Sequence, residues 1–147
     1  MEQITLRAHA KVNLTLDVVG RREDGYHLLE SVMQSISLAD TLTLRKKPGG
    51  ISLRCDQPLL PLDQDNICWR AAAAFGEHTQ IPGGVSVEIT LAKAIPLAAG
   101  LGGGSADAAA VLYGLNQLYD AGLNLGQLQK IGLTIGADVP FCLQGGT

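Results

Sequence analysis

A run of glycines followed at once by a run of alanines constrains this chain more than any other feature. Residues 96–110 read P-L-A-A-G-L-G-G-G-S-A-D-A-A-A. Three successive glycines carry no side chains, so their amide groups can approach a bound anion closely. Ser105 occupies an N-cap position, and the alanines after it favour a helix from about Ser105 to Tyr119. The unpaired amides of that helix end would face the same anion, so the segment predicts a phosphate site.

A plainer interpretation of the same segment is a flexible glycine loop before an ordinary helix, which would bind no phosphate. Two familiar phosphate motifs are excluded. No G-K-[ST] sequence follows, so the segment is not a P-loop. Ser105 stands where the dinucleotide fingerprint needs its last glycine.

Alternation and capping residues predict the remaining elements. Polar and apolar residues alternate strictly over Ala8–Val18, which is typical of a half-buried strand. Residues 26–35 fit either a strand or a short helix. Further strands are predicted at 40–46, 51–54 and 85–91, and helices at 67–78, capped by Asp65 or Asn66, and at 125–135, capped by Asn124 and ended by Gly136. This order favours an α+β fold over a regular βαβ series.

The last residues, Val139–Thr147, read as an apolar strand that reaches a turn. Such a strand would lack its return partner, so we expect the chain to be the front part of a longer protein. At 147 residues the chain is long enough for one core and too short for two large domains.

Composition narrows the class of protein. Hydrophobic residues make up 46% and charged residues 17%, which excludes a disordered chain. The net charge of −3 gives no electrostatic support for binding nucleic acid or an anionic membrane. The three cysteines and three histidines are scattered, so we expect no dedicated transition-metal site. An odd cysteine count without a signal-like start predicts reduced thiols and a cytoplasmic protein.

Three polar residues near strands or turns are candidate functional groups. Lys11 and Asn13 share the polar face of the first strand, roughly 6.6 Å apart, so both could reach one ligand. Asp138 follows a predicted helix end and precedes an apolar run. Taken alone, the first two fit a solvated strand face and Asp138 fits a turn or cap.

Four more residues give weaker signals. Tyr26 and His27 follow a charged turn and offer a stacking surface and a hydrogen-bonding ring. The alternative is that both side chains are half-buried packing residues. Lys93 ends a strand near the glycines. Asn66 is a candidate as well, although a helix cap alone would explain it.

Four segments together carry a family resemblance. They are A-K-V-N-L-T-L at 10–16, G-R-R-E-D-G-Y-H at 20–27, the glycine-rich stretch at 93–110, and G-A-D-V-P at 136–140. In order and spacing they resemble the GHMP small-molecule kinases, over nearly the whole chain. The glycine motif points to the superfamily. D-G-Y-H and G-A-D-V-P point to the members that phosphorylate a diphosphocytidyl methylerythritol in non-mevalonate isoprenoid precursor biosynthesis.

The resemblance implies an α+β domain, mainly an antiparallel sheet with helices on one face, and assigns roles by position. Lys11 and Asp138 match the catalytic pair, and Asn66 and Lys93 match positions near the adenine of ATP. Asn13, Tyr26 and His27 match residues that hold the diphosphocytidyl substrate. The ATP-phosphate loop matches Pro96, Leu97, Ala98, Ala99, Gly100, Leu101, Gly102, Gly103, Gly104, Ser105 and Ala106.

The implied reaction is transfer of the γ-phosphate of ATP, with Mg²⁺, to the 2-hydroxyl of the small-molecule substrate. Another kinase of the family and a non-catalytic nucleotide-binding module remain alternatives. The chain departs from the family pattern at Ala106, where many relatives have a second serine. It also contains nothing that corresponds to the family's second domain. Residues 1–147 are thus expected to form the N-terminal, ATP-binding domain, to show little activity alone and to self-associate.

Overall fold

The computed structural model describes residues 1–21, 27–96 and 103–144, with residues 12–21 and 27–36 described by their backbone. Four strands and four helices are present in these ranges. In chain order they are β1 (Gln3–Arg21), β2 (His27–Lys46), β3 (Ile51–Cys55), α1 (Ile67–Thr79), β4 (Val87–Ala92), α2 (Gly103–Leu118), α3 (Leu125–Ile135) and α4 (Val139–Gln144).

Two long strands form the largest pairing in the sheet. β1 runs antiparallel to β2, from Gln3 opposite Arg45 to Arg21 opposite His27. The predicted strand over Ala8–Val18 is therefore confirmed and extends at both ends. The choice left open over residues 26–35 is decided for a strand from His27 onward.

The sheet has the order β1-β2-β4-β3, and its pairings are antiparallel except between β3 and β4. In β2, Leu42 and Leu44 are buried in the core, whereas their neighbours Thr41 and Arg45 are exposed on the opposite, uncovered face of the sheet. α1 and α2 pack on the core face, while α3 and α4 pack against those two helices. The predicted α+β class, with helices on one face of a mainly antiparallel sheet, is confirmed.

Capping residues set the starts of two helices as the sequence predicted. The side chain of Asn66 accepts the amide N–H of Cys68 at 2.8 Å and begins α1. Asn124 begins α3 with a capping box, in which its side chain accepts the Gln127 N–H and the Gln127 side chain accepts the Asn124 N–H. Both caps satisfy amide groups that would otherwise lack intrahelical partners.

Two predictions about local structure are wrong. The apolar run at Val139 forms helix α4 instead of a strand. Pro140 fits this helix because its fixed φ is helical and its missing N–H falls in the first turn, where no intrahelical acceptor exists. Ser105 does not cap α2 either, because the helix already begins at Gly103 and Ser105 lies within its first turn.

None of the helices in the described ranges has the length and apolar character needed to cross a membrane.

Candidate active site

Lys11 lies buried at an irregular point of β1. The register with β2 shifts between His9 and Lys11, so the strict alternation of the sequence is broken there. As a result Ala10 and Lys11, although consecutive, are both buried, with Lys11 only 6% exposed. Bulges of this kind redirect a side chain next to many active sites. The solvated-face interpretation of Lys11 does not hold.

Lys11 and Asp138 form an ion pair. The Lys11 Nζ atom is 3.3 Å from Asp138 Oδ2, and the lysine side chain is 7% exposed against 49% for the aspartate. Asp138 directly precedes α4, and its carbonyl accepts the Cys142 N–H of the first turn. The two predicted catalytic residues are therefore in contact, with the carboxylate open to solvent and the ammonium group behind it.

Close packing of α3 and α4 holds Asp138 in place. A Cβ atom built on Gly132 of α3 would lie 2.8 Å from the Val139 side chain, so only glycine permits this approach. Val139 is fully buried and is the first residue of α4. The main chain that directly follows Asp138 is thus fixed by core packing.

A cavity lies beside the ion pair. Its volume is about 220 Å³, and residues of β1, α2 and α4 line it, including His9, Ala106 and Cys142. His9 is two residues from Lys11, and Cys142 is four residues from Asp138. Burial raises the pKa of the Cys142 thiol to about 11, so that group is neutral at physiological pH. Lys11 and Asp138 do not line this cavity, and Ala106 is the lining residue from the first turn of α2.

The described part of the predicted phosphate loop is Pro96 and the first turn of α2. Gly103, Gly104, Ser105 and Ala106 form that turn, and the first amides of a helix have no intrahelical partner. Gly104 is exposed, and a Cβ atom there would meet only the Ile67 side chain, at 3.7 Å. The other predicted loop residues, 97–102, lie outside the described residues.

Lys93 belongs to a buried cluster with two aspartates, Asp40 of β2 and Asp107 of α2. Its Nζ atom lies 2.6 Å from Asp40 Oδ2 and 2.9 Å from Asp107 Oδ2. All three side chains are at most 6% exposed. Asp40 Oδ1 also accepts the backbone N–H groups of Ala94 and Ile95, at 2.6 and 2.8 Å. We call these three residues the Asp40–Lys93–Asp107 cluster.

The two aspartates of the cluster differ in protonation. Burial, together with a hydrogen bond to Asp40, raises the pKa of Asp107 to about 8. Burial also acts to raise the pKa of Asp40, but hydrogen bonds from Asp107, Lys93 and two backbone amides outweigh it and lower that pKa. For Lys93 the burial effect is likewise outweighed by the two carboxyl groups, which raise its pKa. At neutral pH the cluster holds one ammonium, one carboxylate and one protonated carboxyl.

The sequence did not single out Asp40 or Asp107 as functional residues. A usable signal was present, because Asp40 stands in the apolar register of β2 with Leu42 and Leu44. Asp107 likewise is a lone charge among alanines of the buried α2. Lone carboxylates on buried faces are rare without a partner.

Among the residues that the structure describes, no hydrogen bond or salt bridge joins the other predicted site residues to the ion pair. Both ends of the Asn66 amide are used within the fold, since its Nδ2 group donates to the Pro61 carbonyl at 2.9 Å while its oxygen caps α1. Asn13 and His27 are placed in β1 and β2 by their backbone. Tyr26 lies outside the described residues. Their roles in holding ligands stay predictions.

The fold and the arrangement of the site place this chain in a known class of small-molecule kinases. The family profile described as GHMP kinases N terminal domain matches residues 66–146, more than half of the chain. The chain belongs to the GHMP kinase family.

Within that family, relatives at about 50% identity share one enzyme name. The 4-diphosphocytidyl-2-C-methyl-D-erythritol kinase of Acetivibrio thermocellus is 50% identical over 147 residues, covering 100% of this chain and 51% of the relative. The enzyme of the same name from Moorella thermoacetica is 52% identical over 147 residues, covering 100% of this chain and 50% of the relative. The chain thus spans about half the length of the curated relatives it matches.

Solved structures agree with this placement. A crystal structure of 4-(cytidine 5'-diphospho)-2C-methyl-D-erythritol kinase superimposes with a TM-score of 0.74 at 43% identity, covering 96% of this chain and 49% of that one. The homoserine kinase of Cytophaga hutchinsonii superimposes with a TM-score of 0.69 at 21% identity, covering 97% of this chain and 42% of that one. The second likeness concerns the fold alone.

Proposed function

We propose that this chain supplies the phosphate-binding end and the catalytic pair of an ATP-dependent kinase that phosphorylates the 2-hydroxyl of 4-diphosphocytidyl-2-C-methyl-D-erythritol. The observation that carries the proposal is the ion pair between the buried Lys11 and the half-exposed Asp138, 3.3 Å apart. The names of the relatives at about 50% identity supply the substrate. The reaction belongs to non-mevalonate isoprenoid precursor biosynthesis.

The residues present fit the phosphate end of ATP. The first turn of α2 offers backbone N–H groups without intrahelical partners, and the exposed Gly104 in this turn has no side chain that would exclude an anion. The hydroxyl of Ser105 is in the same turn. Alanine at position 106 removes one hydroxyl that many relatives have there, so backbone amides carry more of the binding. Mg²⁺, bound with ATP, would offset the charge of the phosphate groups.

The ion pair fits the transfer step. Asp138, half-exposed toward solvent, accepts the proton of the substrate hydroxyl or orients that hydroxyl toward the γ-phosphorus. A bond then forms between the hydroxyl oxygen and phosphorus as the bond to the β-phosphate oxygen breaks, and ADP leaves. Lys11 stabilises negative charge on the attacking oxygen. Such reactions depend mostly on positioning and on charge stabilisation.

The substrate side of the proposal depends on Asn13, Tyr26 and His27. Tyr26 would stack on the cytosine ring, and Asn13 and His27 would hydrogen bond to the diphosphocytidyl group. Asn66 and Lys93 are assigned near the adenine of ATP. Both ends of the Asn66 side chain hydrogen bond within the fold, so we assign Asn66 a contact with ATP through its backbone. The Lys93 ammonium group donates two hydrogen bonds within the fold, so we assign its contact with ATP to the third N–H group.

A substrate panel tests the proposal. The complete gene product that carries this chain is mixed with ATP, Mg²⁺ and either the diphosphocytidyl substrate, homoserine or mevalonate, and ADP release is followed. We expect turnover on the order of 10 s⁻¹ with the diphosphocytidyl substrate only. Turnover with another alcohol instead would assign the chain to a different branch of the family. ATP binding without turnover on any of them would leave a nucleotide-binding module.

A further inference from the structure

The Asp40–Lys93–Asp107 cluster connects the two ends of the glycine-rich segment to the sheet. On the upstream side, Asp40 accepts the N–H groups of Ala94 and Ile95, which directly precede Pro96. On the downstream side, Asp107 lies in the second turn of α2 and reaches Asp40 through Lys93. One carboxylate of β2 therefore joins both described ends of the segment.

The start of α2 is in close contact with the same cluster. A Cβ atom on Gly103 would lie 3.3 Å from Lys93 Nζ and 3.1 Å from the Ile95 side chain. Gly103, the first residue of α2, thus packs against Lys93 and against Ile95, whose backbone N–H donates to Asp40. A change in the cluster would move the amides of this turn relative to the upstream strand.

The cluster is held more firmly than surface ion pairs are. Its three side chains are almost fully buried, and Asp40 alone accepts from two backbone amides and from Lys93. Buried hydrogen bonds to charged groups are stronger than those between neutral groups. Oδ1 of Asp107 is buried and has no hydrogen-bond partner among the described residues, so the cluster has a polar atom that packing alone does not explain.

We propose that Asp40 and Asp107 are positioning residues for ATP, which act through Lys93 to fix the first turn of α2 against the strand segment that precedes the glycines. This inference rests on the proposed function, because it takes that turn to bind the phosphates of ATP. Neither aspartate needs to touch the nucleotide. Their effect is on the affinity for ATP and not on recognition of the alcohol substrate.

The first experiment compares Asp40→Asn with a matched control, Glu88→Gln. Glu88 also pairs with two cations, Arg45 and Lys47, but lies on the uncovered face of the sheet. The dissociation constant for ATP with Mg²⁺ is measured by calorimetry on the complete gene product. We expect Asp40→Asn to weaken ATP binding about 10–100-fold, within the usual range of coupling between separate sites, and Glu88→Gln to leave it unchanged.

Steady-state kinetics then separate positioning from general structural damage. For Asp40→Asn we expect the KM for ATP to rise about 10-fold or more, while the KM for the diphosphocytidyl substrate changes less than about threefold. An equal rise of both KM values, or an unchanged dissociation constant for ATP in folded protein, would overturn the proposal.

The second experiment uses the proton on Asp107. Four titratable groups face this carboxyl: Asp40 of β2, Lys93 after β4, Cys68 of α1 and Cys142 of α4. Burial raises the pKa of Cys68 well above its ordinary value, and that of Cys142 lies at about 11. Asp40 is already ionised and Lys93 stays charged, so Asp107 is the one among these described groups that changes charge near pH 8.

Ionisation of Asp107 gives the cluster a net negative charge next to the phosphates. We expect the dissociation constant of wild type for ATP to rise about threefold or more between pH 7 and 9. Asp107→Asn should abolish this rise, because the amide has the shape of the protonated carboxyl and does not titrate. Glu88→Gln should keep the rise. A rise that persists in Asp107→Asn would count against the proposal.

These outcomes are distinguishable from failure of the proposed function. If wild type binds ATP but phosphorylates nothing, the dissociation constants still decide the role of the cluster. If wild type does not bind ATP, both proposals are wrong. Where circular dichroism shows that Asp40→Asn is unfolded, the pH dependence of Asp107→Asn decides alone.

Discussion

Replacing Asp138 by asparagine should separate the catalytic role of the ion pair from its structural role. At 3.3 Å, two unit charges attract by about 5 kcal/mol at an effective dielectric constant of about 20. Asp138 is 49% exposed, so water screens much of this attraction. We therefore expect Asp138→Asn to lower the free energy of unfolding by only about 1–2 kcal/mol.

The expected effect on the rate is larger. Loss of a positioned base commonly lowers kcat by about 10²–10⁴, which corresponds to about 3–5 kcal/mol of activation free energy. A domain with a typical stability of about 5–15 kcal/mol stays almost fully folded after losing 1–2 kcal/mol. A hundredfold loss of kcat would therefore not arise from unfolding.

The assay combines urea unfolding with steady-state kinetics on the complete gene product. We expect both KM values to stay within about threefold of wild type while kcat falls, because Asp138 acts in the transition state. Lys11→Ala should also lower kcat, and Lys11→Arg should restore it only in part, since a planar guanidinium does not replace a compact ammonium. Retention of most of the turnover by Asp138→Asn would reduce Asp138 to a turn residue.

Three further predictions concern other parts of the molecule. Asp107→Asn should remove a fall in the free energy of unfolding as pH rises from 3.8 to about 8, because over that window the folded protein holds a proton that the unfolded chain has lost; urea titrations at pH 5, 7 and 9 measure it. Gly114→Ala should lower the melting temperature through a loss of about 1–2 kcal/mol, since its Cβ atom would lie 2.5 Å from two leucine methyl groups of the sheet, whereas Gly126→Ala on exposed α3 should not. Tyr26→Ala should raise the KM for the diphosphocytidyl substrate far more than the KM for ATP, because it removes a stacking interaction worth about 1–3 kcal/mol.

Local signals in the sequence predicted most of the elements, and they did so where one periodicity dominates. The alternation at Ala8–Val18 falls within the longer β1, and the caps at Asn66 and Asn124 match the starts of α1 and α3. The apolar run at Val139 failed because a short apolar stretch fits either a strand or a buried helix, and a proline near its start is compatible with both. In the structure, α4 packs Val139 and Leu143 against Gly132 of α3, a tertiary contact that no local pattern contains.

The cluster around Lys93 was beyond local reasoning for a different reason. Its members lie in β2, directly after β4 and in α2, and these segments meet only after the sheet and α2 have packed. Lys93 was noted as a strand end, but nothing in the adjacent sequence predicts that two buried carboxyl groups surround it. Ion pairs between distant segments depend on the fold and are absent from any local pattern.

Helix α2 connects these parts into one unit. Its first turn is the described part of the predicted phosphate loop, its second turn carries Asp107, and its sides contact both β1, which holds Lys11, and α4, which follows Asp138. One buried helix thus contacts the elements on both sides of the ion pair and carries the turn that we propose to bind phosphate. If the first turn of α2 binds the phosphate groups of ATP as proposed, a displacement of α2 along the sheet would move them relative to Lys11, which lies in β1. Because a misplacement of about 1 Å can reduce a rate about 100-fold, the tight contact of Gly114 with the sheet should influence catalysis as well as stability.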